Sequence, residues 1–429
     1  MSGFQIKVTD RRGDDPEPLG SGAASAHPPG AGKIQIKRED VVEDRYHRLR
    51  LIKWWDQALL EKTTVVIAGA GALGNEAIKN LALLGVGRMI VCDMDGIETS
   101  NLTRSVLFRQ HDIGRHKAAV ACERAQEINP DVRAIPIQGD LRYSLGLGVI
   151  RRSAVVLGCL DNIAARVYLS RHAYRVGKPS IDAGLDTVNG DVYTFSPPDG
   201  PCYECRLKEV DRKEFRRRQS CLKLARSEID LGGKVPTAPT IAAIASGLQT
   251  QIAVRLIHGL RVPHGRRLGL YGMSDVFFDI QLEVSEDCPA HGWMECLVGR
   301  EVVETPLSAG RSTLADLLGE VRARLGSDEA YVSLEDDREV IVGLSCAGCG
   351  VSRSVLALAG DLSEDEARCP KCEEPMAPDV RSQLDGSEGL SDRTLADIGL
   401  PPLHVVKGVD PASGQEVLVE LTGDLEKFF

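Results

Sequence analysis

Residues Thr64 to Arg104 read TVVIAGAGALGNEAIKNLALLGVGRMIVCDMDGIETSNLTR, and this stretch decides the fold. Thr64 to Ala68 is a short, apolar, β-branched run, the pattern of a parallel strand buried on both faces. Gly69, Gly71 and Gly74 then spell G-x-G-x-x-G. In that motif the first glycine permits a tight turn, the second lets backbone approach a phosphate, and the third lets a helix pack close on the strand. The spacing predicts a helix from about Ala72 to Leu84, its N-terminal N–H groups aimed at an anion, with Gly85 and Gly87 ending it. A second strand, Arg88 to Cys92, leads to Asp93, where a ribose-binding carboxylate belongs. Read alone, the pattern fits any Rossmann-like nucleotide site, dehydrogenases included.

The rest of the composition bounds the alternatives. The chain has 429 residues, 43% hydrophobic, enough for two or three domains with sizeable cores. Its net charge of −10 gives nucleic acid no electrostatic foothold, and the local run Arg216-Arg217-Arg218 reads as a solvated helix face. The polar, glycine-rich N-terminus has no signal-peptide pattern, and residues 1–38 read as a disordered tail. The longest apolar stretch, Val235 to Ile257, contains Gln249, Gln251 and Arg255 and opens with Pro236 and Pro239, so it reads as a packed core or dimer-seam helix and no membrane span is expected. Twelve cysteines without a secretory signal point to thiols and metal sites in a reducing cytoplasm.

The end of the opening stretch, DMDGIETSNLTR, sharpens the reading. With it the sequence resembles the ThiF/MoeB/ubiquitin-activating enzyme superfamily, over roughly Val41 to Arg300. The resemblance implies an α/β, Rossmann-like doubly wound adenylation domain (about 39–300). Such a domain uses Mg²⁺ and ATP to adenylate the C-terminal glycine of a ubiquitin-like protein. It implies that Gly69, Gly71, Gly74, Asp93 and Asn101 hold the nucleotide. Arg104 and Lys117, the latter in Ile113-Gly114-Arg115-His116-Lys117, would meet phosphate. Arg48, in Arg45-Tyr46-His47-Arg48, matches the family's R-Y-x-R and would reach a partner protomer's ATP within a homodimer; an exposed helix arginine is the plainer alternative. Asp161 follows the strand Ala154 to Cys159, at a carboxyl end that faces the ligand crevice of open α/β sheets. The family's Asp there holds magnesium; the alternative is an N-cap for the next helix.

Cys202 and Cys205 form C-x-x-C, and Cys288 and His291 form C-x-x-H. Together they predict a structural Cys₃His zinc site, with Cys296 as a competing fourth ligand and a redox pair as the outside alternative. The resembled family has a second C-x-x-C where His291 stands, so this is a departure. Between the halves, about 206–239, the family has its crossover loop. Cys221 occupies the place of a thioester-forming cysteine there, with Arg216, Arg217, Arg218 and Lys223 nearby to favour the thiolate; an incidental cysteine is the alternative.

Past Arg300, Cys346-x-x-Cys349 and Cys369-x-x-Cys372 make a zinc-ribbon signature over 346–372. Around it, Ser312 to Leu318 opens an amphipathic helix, and Thr394 to Leu400 resembles the turn before the last strand of β-grasp folds. The region 301–429 therefore reads as a smaller α+β, ubiquitin-fold-like domain with an inserted ribbon, which in ubiquitin-type activating enzymes docks the conjugating enzyme; a stability domain or dimer arm is the alternative. As a whole the chain resembles the activating enzymes of bacterial ubiquitin-like conjugation operons, which implies thioester formation on Cys221, transfer to a conjugating enzyme and a role in antiphage defence. A sulfur-carrier adenylyltransferase of the ThiF/MoeB kind and a non-catalytic zinc-stabilised scaffold are the competing readings.

Overall fold

The computed structural model describes residues 44–207, 236–288, 290–291, 295–334, 338–358, 362–363 and 365–429. A short helix, α1 (Gln57–Lys62), leads into β1 (Thr64–Ala68), α2 (Ala72–Leu84) and β2 (Arg88–Asp93). Then come α3 (Lys117–Ile128), β3 (Arg133–Gln138), α4 (Leu141–Ser144), α5 (Leu147–Arg152), β4 (Val155–Gly158), α6 (Ile163–Arg175) and β5 (Ser180–Asp186). The five strands pair in parallel in the order β3-β2-β1-β4-β5, the doubly wound arrangement. Three antiparallel strands extend the sheet beyond β5: β6 (Asn189–Phe195), β7 (Arg266–Tyr271) and β8 (Val276–Gln281).

All five residues of β1 are buried, because both faces of the sheet are covered. Val65 and Ile67 enter one core with Leu73, Ala77 and Ile78 of α2 and Ala118 and Ala121 of α3. Val66 and Ala68 enter the opposite core with Leu147 and Ile150 of α5 and Leu169 of α6. Gly85 closes α2 in the left-handed conformation, φ +74°, as a helix C-terminus favours.

The apolar stretch after Pro236 forms α7 (Pro239–Ile257). It is long and apolar enough to cross a membrane, but half of its most apolar window is buried within the fold. Ile241, Ala245 and Ala253 are among its buried residues. The Asn189-Gly190 pair, a strong turn signal, does not form the β5–β6 turn. Asp186 pairs with Asn189, so the two-residue loop is Thr187-Val188, with Thr187 at φ +51°. Packing overrides turn propensity here. A side chain at position 190 would press on Ile241 at 3.1 Å, so the glycine makes room for α7.

The C-terminal part comprises β9 (Val303–Thr305), α8 (Leu314–Leu325), β10 (Tyr331–Ser333), β11 (Val340–Ser345), β12 (Ser352–Leu358), β13 (Ala377–Arg381), β14 (Gln383–Leu384), β15 (Val405–Val409), β16 (Glu416–Leu421) and α9 (Leu425–Phe428). One sheet has the order β14-β10-β15-β16-β9, with β9 and β16 parallel and the other pairs antiparallel; β12-β11-β13 form a second, smaller one. Thr313 and Asp316 close a capping box at the start of α8. Period-two alternation divides the larger sheet between two cores. Val406 and Val419 pack with Leu317 and Val321 of α8, while Val405 and Leu418 join Val66, Ile90 and Val156 of the doubly wound sheet. Gly146 and Gly148 admit this contact, since a side chain at either would strike the backbone of Pro402 or Leu403. Glu420, fully buried, pairs with Arg151 and Arg152 of α5 across the same junction.

Candidate functional site in the crevice above β1 and β4

The order β2-β1-β4 puts the topological switch point beside β1, where open α/β sheets bind ligands at the carboxyl ends of their strands. The three glycines of the loop after β1 have three different surroundings. Gly69 is left-handed, φ +96°, and a side chain there would meet the Cys159 carbonyl oxygen at 2.4 Å. A side chain at Gly74 would meet the Gly69 carbonyl oxygen at 2.0 Å. At Gly71 it would meet nothing within 4 Å. The first and third glycines are thus demanded by the protein's own packing, while the second faces open space at the start of α2. That is the arrangement a phosphate requires.

Asp93 ends β2 beside this loop. Its Oδ2 accepts the Ala70 N–H at 2.6 Å and its Oδ1 the Asp95 N–H at 2.8 Å. Burial pushes its carboxyl above the ordinary carboxylate range, opposed by these two N–H groups and by Lys117. Asn101 is buried and its Oδ1 accepts the Glu98 N–H at 2.9 Å, completing a reciprocal cap on the Thr99–Asn101 turn. That turn carries the half-buried Arg104, whose guanidinium donates to the Ser100 carbonyl at 3.4 Å. Lys117 is the first residue of α3, is nearly buried, and holds the Asp95 carboxylate at 2.7 Å.

Asp161 follows β4 and is exposed. The N-cap of α6 is its neighbour Asn162, whose side chain accepts the Ala165 N–H at 2.8 Å. The capping role that Asp161 could have filled is therefore taken; its exposed carboxylate accepts from Asn162 Nδ2 at 3.4 Å just past the carboxyl end of β4. Open approach at Gly71, carboxylates at Asp93 and Asp161 and cations at Arg104 and Lys117 fit a magnesium–nucleotide: Asp161 would hold the metal, the cations the phosphates.

Arg48 sits elsewhere. Tyr46 of the same turn is buried, its hydroxyl accepting from Asn129 Nδ2 at 2.7 Å, and Arg45 donates to the Ile128 carbonyl. Both partners lie at the C-terminal end of α3. This is the end of the sheet opposite the crevice, because each helix runs antiparallel to the strand before it. Arg48 is exposed there, so it could meet a nucleotide only in another protomer. Cys221, with Arg216, Arg217, Arg218 and Lys223, lies outside the described residues.

Three residues that the sequence reading passed over support the strand ends. Asn75, fully buried, donates to the carbonyls of Ala70 (2.6 Å) and Gly71 (3.0 Å). Gln249 of α7, also fully buried, donates to Gly158 (3.0 Å) and Ile181 (2.7 Å), fastening β4 to β5. Arg166 pairs with Asp182 at 2.7 Å and donates to the carbonyl of Leu160, next to Asp161. A carboxamide inside an otherwise apolar helix face was the available signal for the first two.

Two clusters could each hold a metal ion. Cys202, Cys205, Cys288 and His291 bring their ligand atoms within 4.8 Å of one another, as do Cys346, Cys349, Cys369 and Cys372. Zinc with ~2.3 Å bonds to sulfur places tetrahedral sulfurs ~3.8 Å apart. The sulfur separations are 3.9 Å for Cys202–Cys205, 3.6 Å for Cys202–Cys288, 3.5 Å for Cys346–Cys372 and 3.4 Å for Cys349–Cys369. His291 Nδ1 lies 3.5 Å from Cys205 Sγ, and Cys296 is not part of the cluster. The buried pair Arg171–Glu204 fixes the Cys202–Cys205 turn to α6. A groove of about 690 Å³ runs beside this turn, lined by Tyr193, Tyr203, Arg206, Arg267 and Ile163, the last two residues from Asp161.

A sulfur carrier protein adenylyltransferase of Thermus thermophilus is 30% identical over 258 residues, covering 58% of this chain and 90% of that protein. The sulfur carrier protein ThiS adenylyltransferase of Escherichia coli is 29% identical, covering 55% and 88%. The SAMP-activating enzyme E1 of Haloferax volcanii is 30% identical, covering 55% and 83%. Residues 44–290, from the Tyr46 turn to the C-x-x-H pair, match the ThiF family as a whole, and the protein belongs to that family.

Proposed function

We propose that this protein uses Mg-ATP to adenylate the C-terminal carboxylate of a ubiquitin-like protein. The observation that supports the reading is the glycine loop after β1, closed by packing at Gly69 and Gly74 and open at Gly71, with β4, the neighbour of β1, ending just before the exposed Asp161. The relatives named above, two of them adenylyltransferases and one an activating enzyme, support the same class of reaction.

In this reaction a carboxylate oxygen of the tail bonds to the α-phosphorus, the bond to the pyrophosphate oxygen breaks, and pyrophosphate leaves. Magnesium, when bound, neutralises charge on the triphosphate. Asp161 would hold it, Lys117 and Arg104 would take charge that develops on phosphate, and Asp93 would hold the ribose. The groove beginning at Ile163 would receive the tail.

The finer reading has four parts. Cys221 thiolate attacks the acyl carbon, AMP leaves, and a thioester results, to be passed to a conjugating enzyme's cysteine. Arg48 reaches the nucleotide of the second protomer in a homodimer. Residues 301–429 act as a ubiquitin-fold-like docking domain. The system is cytoplasmic and serves antiphage defence in bacteria. Incubation with ATP and candidate ubiquitin-like proteins, followed by a non-reducing gel, tests this: a thiol-sensitive adduct lost in Cys221→Ala supports it. The second reading, favoured by the names of the two sulfur-carrier relatives, predicts ATP–pyrophosphate exchange with no such adduct.

A further inference from the structure

Asn75 lies in the first turn of α2 and is fully buried, in a helix whose buried residues are otherwise apolar or glycine apart from Glu76. Burying a carboxamide costs free energy unless its donors and acceptor are used. Here they are. Nδ2 donates to Ala70 O at 2.6 Å and to Gly71 O at 3.0 Å, and Oδ1 accepts the Leu107 N–H at 2.9 Å.

The two carbonyls belong to successive peptide groups. In a planar trans peptide the carbonyl of one residue and the N–H of the next point in opposite directions. Holding the Ala70 and Gly71 carbonyls against Asn75 therefore turns the N–H groups of Gly71 and Ala72 away from it, toward the open space at Gly71. These belong to the helix start, whose N–H groups have no intrahelical acceptor and are available to an anion. The third bond reaches Leu107, three residues beyond Arg104, so one side chain holds both the first peptides of the helix start and the segment that follows Arg104.

We propose that Asn75 is a positioning residue for the triphosphate: it sets the direction of the Gly71 and Ala72 N–H groups and ties the Arg104 segment to them. This rests on the nucleotide reading above and adds to it which part of the ligand Asn75 governs. Because the effect acts through the phosphate donors, loss of Asn75 weakens binding of the triphosphate and spares binding of the nucleoside.

The test is calorimetry on the full-length chain with ATP and magnesium and, separately, with adenosine. For Asn75→Ala the expected result is an ATP affinity at least tenfold weaker with adenosine affinity within twofold of the unaltered protein. Asn75→Asp keeps the shape and the acceptor for Leu107 but loses both donors, and is expected to lose at least as much ATP affinity. A purely structural role would move both ligands together, so equal losses overturn the proposal, as does an ATP affinity within threefold of the unaltered protein in either variant. Should the variants not fold, hydrogen exchange on the unaltered chain decides. Protection of the 69–75 segment by ATP and not by adenosine supports the proposal, and equal protection by both overturns it. An unaltered chain that binds neither ligand sinks the nucleotide reading itself, and this proposal with it.

Discussion

The Lys117 ammonium lies 2.7 Å from the Asp95 carboxylate, the lysine side chain 11% exposed and the aspartate 55%. A buried cation at the first position of a helix is thus held by a carboxylate that solvent reaches. The pair also joins the crevice to the glycine loop, since the Asp95 N–H bonds Asp93, which accepts from Ala70.

The two partners are unequal in consequence. Asp95→Asn removes a partly solvated ion pair, worth about 0.2–1 kcal/mol, and is expected to shift the denaturation midpoint slightly. If Lys117 meets phosphate as proposed, Lys117→Ala is expected to slow adenylation by about 100-fold or more. ATP–pyrophosphate exchange rates beside urea melts separate the two effects.

The metal clusters differ in access. Cys202 and Cys288 of the first are buried, whereas Cys372 of the second is exposed. The chain is expected to carry two zinc ions and to release them to a chelator in two phases, the ribbon first. Cys346→Ser should abolish the fast phase and halve the metal content read by mass spectrometry; Cys202→Ser should abolish the slow phase and lower the melting temperature of the 44–291 region.

The junction between the two parts is held by a buried charge. Glu420 has no exposure and faces Arg151 and Arg152, which also pair with the exposed Glu304. Removing Glu420 leaves two partly exposed arginines still paired with Glu304, so Glu420→Ala is expected to cost about 1–3 kcal/mol. The check is chemical denaturation, with Glu304→Ala as a control that changes stability by less than about 1 kcal/mol.

Stability should also fall in mild acid. His172 and His404 are fully buried at this junction, and burial first, then the charge of Arg338, depresses both well below the usual histidine value; Arg175 adds to this at each, and Arg171 at His172. The unfolded chain binds these protons near pH 6.5 while the folded one does not, so the unfolded state gains protons as pH drops. The stability present above pH 6.5 is therefore lost below it, by about 1.4 kcal/mol per pH unit for each histidine. Urea midpoints from pH 7.5 to 5.5 should trace this decline, and His404→Gln should reduce its slope by about half.

Most of the crevice was legible in residues 64–117 because its requirements are local. A strand, three glycines and a helix start must be consecutive, and Asp93, Asn101, Arg104 and Lys117 stand at short, fixed distances from them. The two clusters that could hold a metal were legible because paired cysteines at close spacing have few other uses. What failed to show was decided by distant packing. Gly190 reads as a turn residue until Ile241 is seen against it. The domain boundary near 300 looked like a change of character, yet Val405 and Leu418 share a core with β1. Asn75 and Gln249 stand out only as carboxamides on mainly apolar helix faces, and that signal does not say which carbonyls each one meets.

The most direct test is ATP–pyrophosphate exchange in the presence of a ubiquitin-like protein ending in glycine. Exchange should require its free C-terminal carboxylate and magnesium, and should fall by at least about 100-fold in Asp161→Ala. Exchange that proceeds undiminished in Asp161→Ala, or that never appears with any such protein, would contradict the assignment of this crevice to carboxylate activation.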